Sequence, residues 1–264
     1  MVRRGMITAA LAEMNMILHN ITDYEISIGD SLINPRIPED VDYVLANPPW
    51  NQDGYGEDKL NTPQLRKIYR YGYTPNNTAD WAWVQLMLYL AKRKVGVILD
   101  QGALFREGKE LNIRKGIIDD DLIEAIVLLP EKLFYNTQAA GIVMILNKQK
   151  PPERRGRVIF INATNEYDKH PEVRRLNILT EGGMAKIVNA YRRFEDIPGF
   201  ARVVTIEEIR KNNYNLNVPL YVTPLEQRVD IDLEEEWAQL QELKAKETEL
   251  WGKVAYFINE VMKL

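Results

Sequence analysis

Cysteine is absent from this 264-residue sequence, and histidine occurs only twice, as His19 and His170. The lack of cysteine excludes disulfide bonds and thiolate zinc sites, and two histidines offer too little for another metal centre or for a Ser-His triad. Apolar runs long enough to span a membrane are also lacking, and the first residues contain no secretory hydrophobic core. We therefore predict a cytoplasmic protein that has no resident metal and does not contact a membrane.

An excess of positive charge is missing as well, since the formal net charge is −4. Residues 223–264 carry ten acidic and five basic side chains, so the residues before them are close to neutral. A chain with this balance is not expected to bind nucleic acid strongly by itself. If nucleic acid is a ligand, much of the affinity has to come from a partner.

One stretch organises the rest of the chain: a short apolar run followed by Asn47-Pro48-Pro49-Trp50. The run Val41–Ala46 is β-branched and apolar enough to predict a buried parallel strand. The two prolines end this strand, because neither can donate a hydrogen bond to a ladder and both fix φ. The sequence thus places an amide, two carbonyls and an indole at the carboxyl end of a strand, where open α/β sheets bind ligands.

These groups suit methyl transfer to an exocyclic amine. An aryl amine is a poor nucleophile because its lone pair is delocalised into the ring. The side-chain oxygen of Asn47 and the carbonyl of Pro48 could accept its two N–H groups and draw the nitrogen towards tetrahedral geometry, while Trp50 stacks on the ring. Positioning and electrostatics would then supply most of the catalysis. The alternative is a Pro-Pro turn that closes a strand and carries a surface tryptophan.

Asn-Pro-Pro-aromatic resembles motif IV of the amino-group methyltransferases that use S-adenosylmethionine. The flanking segments resemble, in order and over nearly the whole chain, the modification (M) subunit of type I restriction-modification systems. The segments that carry this resemblance are residues 11–20 (LAEMNMILHN), 28–32 (IGDSL), 82–85 (AWVQ), 99–106 (LDQGALFR), 129–138 (LPEKLFYNTQ), 194–200 (FEDIPGF) and 213–217 (NYNLN). The absence of cysteine agrees with this, since cytosine C5 methylation needs a cysteine nucleophile.

The resemblance implies adenine N6 methylation of DNA, with S-adenosylmethionine as cofactor and the target adenine flipped out of the duplex. In the family a specificity (S) subunit chooses the DNA site, M with S forms the working methylase, and a restriction (R) subunit can join them. The catalytic residues that the resemblance implies are Asn47, Pro48, Pro49 and Trp50.

Three further site residues follow from the same resemblance. Phe134 and, more weakly, Phe105 are candidates for a second aromatic that contacts the base beside Trp50, although either is as readily a packing residue. Asp30 matches the family's acidic position near the cofactor adenine, and Asn47 is expected at the cofactor as well as at the base.

Family members also carry, ahead of this region, a glycine-rich loop of Asp-Pro-x-x-Gly-x-Gly type and an acidic residue that holds the ribose. Neither has a counterpart here, so the resemblance implies a methyltransferase without its first half: a product of a split gene, a remnant of a broken gene, or a shortened version. A separate N-terminal M fragment is then an expected partner. Self-association is the other expectation, because an incomplete sheet leaves an open edge.

The alternation of strands and helices predicts an α/β fold, and by resemblance a partial Rossmann-like methyltransferase sheet with an antiparallel last strand, followed by a C-terminal helical segment. Expected strands are residues 25–28, 41–46, 95–99, 123–129, 141–146 and 157–162. Expected helices are residues 5–19, 78–92 with Thr78 as N-cap, 109–119, 184–193, a short one after Thr205, and 232–264. Residues 51–77 are predicted to be a long loop that contacts DNA or covers the site, or else a connection whose tyrosines pack on the core.

We divide the chain into a methyltransferase domain (residues 1–165), a helical and loop extension (166–222) and a C-terminal helix (223–264). That helix is expected to dock on the S subunit, with packing on its own domain as the alternative.

Rival functions remain at this point. Asn-Pro-Pro-aromatic also serves methyltransferases that act on RNA adenines or on glutamine amides. The absent glycine loop favours a non-catalytic assembly module that binds S through the C-terminal helix, or a structural remnant.

Overall fold

The computed structural model describes residues 2–36, 40–224 and 233–261. Its helices are α1 (Val2–Leu18), α2 (Glu57–Leu60), α3 (Asp80–Leu90), α4 (Lys109–Asp119), α5 (Glu181–Arg193), α6 (Ile206–Lys211) and α7 (Leu233–Val261). Its strands are β1 (Val41–Ala46), β2 (Ala91–Asp100), β3 (Ile123–Leu128), β4 (Gly141–Asn147), β5 (Arg157–Asn162), β6 (Tyr167–Lys169), β7 (Asn177–Leu179) and β8 (Ala201–Thr205). Short 3-10 turns lie at Gln101–Leu104, Pro152–Arg154 and Val218–Leu220. The chain forms two compact units, Met1–Pro224 and Leu225–Leu264.

Within the described residues, the first unit holds a six-stranded sheet in the order β1-β2-β4-β3-β5-β8 and a separate β6–β7 hairpin. β1 pairs in parallel with β2, and β3 in parallel with β5. β4 lies antiparallel between β2 and β3, and β8 is antiparallel to β5 at the far edge. The predicted α/β fold is therefore confirmed; of the expected strands the antiparallel one is β4, and the last of them, β5, is parallel to β3.

The central strands β3 and β4 are buried on both faces of the sheet, which explains why they are apolar along most of their length. Alternate residues of β3 show this: Ile126 and Leu128 pack with α3 and α4, whereas Ala125 and Val127 pack on the face that α5 covers. The large buried side chains that α3 and α4 contribute to the first face include Trp81, Val84, Met87, Ile113, Ile117 and Ile118.

The segment between β1 and α3 is largely loop and turn, as predicted, and it packs on the core. It contains α2, and its buried apolar side chains are Leu60, Leu65, Ile68 and Tyr69. Tyr69 is 2% exposed, and its hydroxyl donates to the carbonyl of Leu32. These side chains cluster with Leu86 and Leu90 of α3, because burying them there removes apolar surface from water. Of the two alternatives, packing on the core describes Tyr69; contact of this segment with DNA stays a prediction.

Two local predictions were wrong. Residues 25–28 form no strand, because in the described part of the chain no neighbouring strand supplies a hydrogen-bonding ladder for them. The N-cap of α3 is Ala79, without a side-chain cap, instead of Thr78. The Thr78 hydroxyl is 3.5 Å from a carboxylate oxygen of Glu110 and only weakly accepts from the Asp80 amide, at 3.4 Å.

β1 is a parallel strand with the predicted bounds, but it is not buried. Tyr43 is 56% exposed and Leu45 is 83% exposed, because β1 lies at the edge of the sheet and pairs only with β2 among the described strands. α1 also exposes much of its apolar surface, at Met6, Ile7, Leu11, Met14, Ile17 and Leu18. The first unit thus exposes apolar side chains on its edge strand β1 and on α1.

The extension after residue 165 contributes more to the sheet than its sequence suggested. β8 pairs with β5 from Ala201↔Ile161 to Thr205↔Arg157. The two expected helices are present as α5 and α6, and the β6–β7 hairpin lies before them. Residues before and after position 165 thus share one sheet. A domain boundary at residue 165 stays a prediction.

The second unit contains α7, which confirms the long C-terminal helix; predicted helical residues 232 and 262–264 lie outside the described residues. Its large exposed apolar side chains are Trp237, Leu240, Leu243, Leu250, Trp251, Val254 and Ile258. Among the helices of the described residues, none has the length and apolarity needed to cross a membrane.

Candidate active site

A cleft of about 770 Å³ opens where β1 and β2 end. Because the two strands are parallel, with Ala46 opposite Val97, the residues that follow them emerge at the same edge of the sheet. The residues that line the cleft are Asn47, Pro48, Pro49, Trp50, Asn51, Asp100, Phe134, Tyr135, Asn136, Thr137 and Ala139. The predicted Asn-Pro-Pro-Trp elbow and the loop that carries Phe134 thus form one concave surface, although they are far apart in sequence.

The elbow is closed by a hydrogen bond between its two ends. The indole Nε1 of Trp50 donates to Oδ1 of Asn47 at 3.1 Å. This contact identifies the oxygen end of the Asn47 amide and leaves Oδ1 a second lone pair for another donor. Pro48 is buried, whereas Asn47 and Pro49 are exposed to the cleft. The elbow therefore presents an acceptor to whatever enters.

Two aromatic rings form one wall of the cleft. The ring centroids of Trp50 and Phe134 are 4.8 Å apart, and the planes meet at 71°, an edge-to-face arrangement. Both rings pack over Gly141, the first residue of β4. A Cβ at that position would lie 2.7 Å from Phe134 and 2.9 Å from Trp50, so only glycine fits beneath the pair. The sequence pattern did not indicate Gly141, because its role depends on a contact across the fold.

The residues just after the elbow are held by α3. Asn51 has a left-handed backbone, with φ +51°, and its amide donates to Oδ1 of Asp80 at 2.9 Å. The side-chain oxygen of Gln52 accepts from the indole of Trp83 at 3.1 Å. Asp80 is fully buried in the first turn of α3. Sequence analysis did not select Asp80 as a site residue, yet it anchors the elbow.

Arg106 lies beneath the cleft among three carboxylates. Its guanidinium is 2.9 Å from Asp80, 2.6 Å from Asp100 and 3.5 Å from Glu110, and it also donates to the side-chain oxygen of Asn51. Burial raises the pKa of Glu110 to about 7, although Arg106 acts in the opposite direction. Asp100 and Arg106 lie in the segment 99–106 that carries the family resemblance, but sequence analysis gave neither a role, and Asp80 is 26 positions from Arg106.

The other predicted site residues lie elsewhere. Phe105 is 40% exposed after the turn Gln101–Leu104 and is not among the residues that line the cleft. Asp30 is not among them either: its Oδ2 accepts from the hydroxyl of Tyr55 at 2.8 Å and its Oδ1 from the amide of Leu32 at 3.1 Å. Burial first, and then Asp30, raises the pKa of Tyr55 to about 12. The roles of Phe105, Phe134 and Asp30 toward substrate or cofactor stay predictions.

The residues beside Asp30 fit S-adenosylmethionine only in part. A cavity of about 400 Å³ adjoins Asp30 and is lined by Glu25, Ile26, Ser27, Gly29, Ser31, Asn34 and Arg36. This provides one polar wall. The Gly-x-Gly sequence of the chain, Gly54-Tyr55-Gly56, lies after the Asn-Pro-Pro-Trp elbow, whereas the family's glycine loop precedes that motif, so the two do not correspond. Within the described residues, a complete cofactor site is not formed.

The sheet order and the Asn-Pro-Pro-Trp elbow at its carboxyl edge define a class: the fold is that of an S-adenosylmethionine-dependent methyltransferase. A methyltransferase subunit of a type I restriction-modification system from Streptococcus thermophilus matches with a TM-score of 0.73 and 33% identity, over 81% of this chain and 46% of that one. The EcoKI M protein matches with a TM-score of 0.61 over 91% of this chain and 58% of that one; at 16% identity it supports the fold alone.

The chain belongs to the N-6 DNA Methylase family, whose family model matches residues 4–230. It is 58% identical, over 98% of its length, to the type I restriction enzyme MjaVII methylase subunit of Methanocaldococcus jannaschii, and covers 46% of that relative. It is 32% identical to the HindI methylase subunit of Haemophilus influenzae, over 97% of this chain and 58% of the relative. The resemblance to type I M subunits is confirmed, and the chain spans about half the length of the curated relatives it matches.

Proposed function

We propose that this chain is the target-base part of a type I M subunit that methylates adenine N6 in DNA. The observation that carries the proposal is the cleft in which Asn47, hydrogen-bonded to Trp50, faces the same space as the Trp50–Phe134 pair. Such a cleft offers a polar acceptor and an aromatic wall to a planar heterocycle. Membership of the N-6 DNA Methylase family makes adenine the appropriate base.

The residues of the elbow act by holding the amine. A flipped adenine stacks against Trp50, and its exocyclic N–H groups are donated to Oδ1 of Asn47 and to the carbonyl of Pro48. This draws the nitrogen out of conjugation and frees its lone pair. A strong base is not required, because the N–H proton becomes acidic only as the new C–N bond forms, and it is then released to water. The contribution of the protein is orientation and electrostatic complementarity.

S-adenosylmethionine, when bound, supplies an electrophilic methyl group. Of the described residues, Asp30 is the candidate to contact its adenine, beside the cavity that Gly29 and Ser31 help to line. Asn47 is the candidate to contact both the cofactor and the target base. The remainder of the cofactor site corresponds to the half of the relatives that this chain does not cover.

DNA, an S subunit and an R subunit are the proposed partners. The described surface that favours docking on S is α7, whose exposed apolar side chains include Trp237 and Trp251. The same observation favours the second candidate function, a non-catalytic assembly module that binds S. Methylation of RNA adenines or glutamine amides is a weaker candidate, because relatives at 58% and 52% identity are both named as type I restriction enzyme methylase subunits.

Replacing Asn47 tests the proposed chemistry. In a complete methylase assembled with its S subunit, Asn47→Ala should lower methyl transfer to cognate DNA by about 100-fold or more, because the acceptor for the amine is lost. Transfer of tritiated methyl groups measures this, and co-purification measures S binding, which should not change. The matched control is Asn189→Ala, an exposed asparagine on α5. Retained transfer in the Asn47 variant would exclude the assigned role of the elbow.

A further inference from the structure

Three side chains close a ring behind the elbow. Oδ1 of Asp80 accepts from the backbone N–H of Asn51 at 2.9 Å. Oδ2 of Asp80 accepts from Nη1 of Arg106, also at 2.9 Å. Nη2 of Arg106 then donates to the side-chain oxygen of Asn51. Both the backbone and the side chain of Asn51 are therefore fixed, and Asn51 is bonded directly to Trp50. Because Asp80 is fully buried, the ring is anchored in the core.

The same guanidinium reaches the second strand end of the cleft. Nη2 of Arg106 donates to Oδ2 of Asp100 at 2.6 Å, and Oδ2 also accepts from the amide of Gly102 at 3.1 Å. Asp100 is the last residue of β2 and lines the cleft, as Asn51 does. Arg106 thus contacts two cleft-lining residues that follow two different strands.

We infer that Arg106 is a positioning residue, which holds Asn51 and Asp100 so that the Asn47–Trp50 elbow keeps the conformation seen in the cleft. Its planar fork is needed because the donors must point at several acceptors at once. A lysine keeps the charge but has one compact ammonium group on a flexible stem. It can neutralise Asp80 or Asp100, but it cannot hold Asn51 in the same geometry.

The lack of a side chain at Gly102 supports a positioning role for the Arg106–Asp100 ion pair. A Cβ at Gly102 would lie 2.6 Å from Nη2 of Arg106 and 2.7 Å from Oδ2 of Asp100. Its backbone has no left-handed φ, and the three atoms nearest to an added Cβ all belong to this ion pair. Gly102→Ala therefore displaces the pair without removing either charge, and it should reproduce the effect of Arg106→Lys.

The first test uses the chain itself and needs no activity. The indole N–H resonance of Trp50, assigned by its loss in Trp50→Phe, reports the hydrogen bond to Asn47. Arg106→Lys and Gly102→Ala should each shift or broaden this resonance while the dispersed spectrum of the folded chain is retained. Arg210→Lys is the control, since Arg210 pairs with Asp119 on the surface. An unchanged Trp50 resonance in a folded Arg106→Lys variant overturns the inference.

The second test rests on the proposed function and uses the complete methylase. Arg106→Lys should lower kcat by about tenfold or more and change KM for DNA by less than about twofold, because alignment is lost rather than binding. In an Asn51→Ala background the same substitution should cost less than about threefold, since residues that act through one contact are not additive. Equal losses in both backgrounds overturn the inference. A wild-type assembly without transfer would instead refute the proposed function, and the Trp50 resonance would still decide the role of Arg106.

Discussion

Glu110 is a buried carboxyl beside Arg106, Asp80 and Arg114, and it is only 1% exposed. Burial raises its pKa from 4.5 to about 7. The folded state therefore binds this proton more tightly than the unfolded state does. By linkage, the stability that the protonated group contributes is full below about pH 4.5 and is lost as the pH rises through about 7. The loss amounts to roughly 3 kcal/mol.

Replacing this carboxyl should remove the pH dependence that it causes. The thermal unfolding midpoint of the wild-type chain should fall between about pH 5 and about pH 8, and Glu110→Gln should flatten that slope, because the neutral amide does not ionise. Scanning calorimetry at both pH values measures it. Glu207→Gln, on the exposed surface of α6, is the control that should keep the slope. An equally steep slope in the Glu110 variant would contradict this assignment.

At the same scale, the site shows which residues a motif can reveal. Asn47 to Trp50 are adjacent, so their side chains form a recognisable set in sequence. Asp80, Arg106 and Gly141 matter to the same cleft only because the fold brings them to it. A buried aspartate at a helix start or a glycine at a strand start has many ordinary explanations.

Among the elements, α7 has an unusually apolar exposed surface. Large apolar side chains such as Trp237, at 61% exposure, and Trp251, at 65%, face solvent along its length. Apolar surface of this extent is typical of a region that binds another protein. It is the structural basis for proposing that α7 docks on the S subunit.

Removal of residues 232–264 should therefore weaken binding of the S subunit and leave the first unit folded. The expected loss in affinity is about 100-fold or more, since several aromatic and aliphatic side chains that docking on S would bury are removed together. Co-purification with tagged S measures the loss, and circular dichroism checks the remaining fold. Lys246→Ala, which breaks only the exposed Glu242–Lys246 pair, is the control. Unchanged co-purification of the shortened chain would refute docking through α7.

The edge strand β1 gives a second lesson at the level of elements. Its apolar sequence predicted burial, yet Leu45 is 83% exposed. The apolar sequence of a strand shows that the strand is suited to a buried position. Its actual exposure depends on which strands and helices pack against it. Leu45 is exposed because β1 is the edge strand and pairs only with β2 among the described strands.

For the molecule as a whole, binding of S-adenosylmethionine distinguishes the two candidate functions, the target-base part of a methyltransferase and a non-catalytic assembly module. Calorimetric titration of S-adenosylmethionine into this chain should give no saturable heat, because Asp30 and its neighbours form one wall of a site. In a mixture with a polypeptide that supplies the glycine-loop half, binding should appear. Asp30→Asn in that mixture should weaken it by about tenfold, through loss of a charged acceptor.

The two outcomes have different meanings. Binding in the mixture alone supports a split methyltransferase in which this chain holds the target base. No binding in either case contradicts a cofactor role for Asp30 and favours the assembly module.

The sequence by itself determined much of the local structure and the position of the site. The predicted bounds of α4 and β5 agree with the structure to the residue, because amphipathic and apolar periodicity are local properties. The Asn-Pro-Pro-Trp elbow follows its strand as predicted, since prolines act on the adjacent backbone.

Only the tertiary structure decided which distant residues and strands contact one another. The insertion of β4 between β2 and β3, the addition of β8 to the sheet, and the packing of Tyr69 join residues distant in sequence. The same is true of the contact between Arg106 and Asn51, which are separated by 55 positions. Such contacts leave no periodic signal, because their energy depends on surfaces that exist only when the sheet has formed.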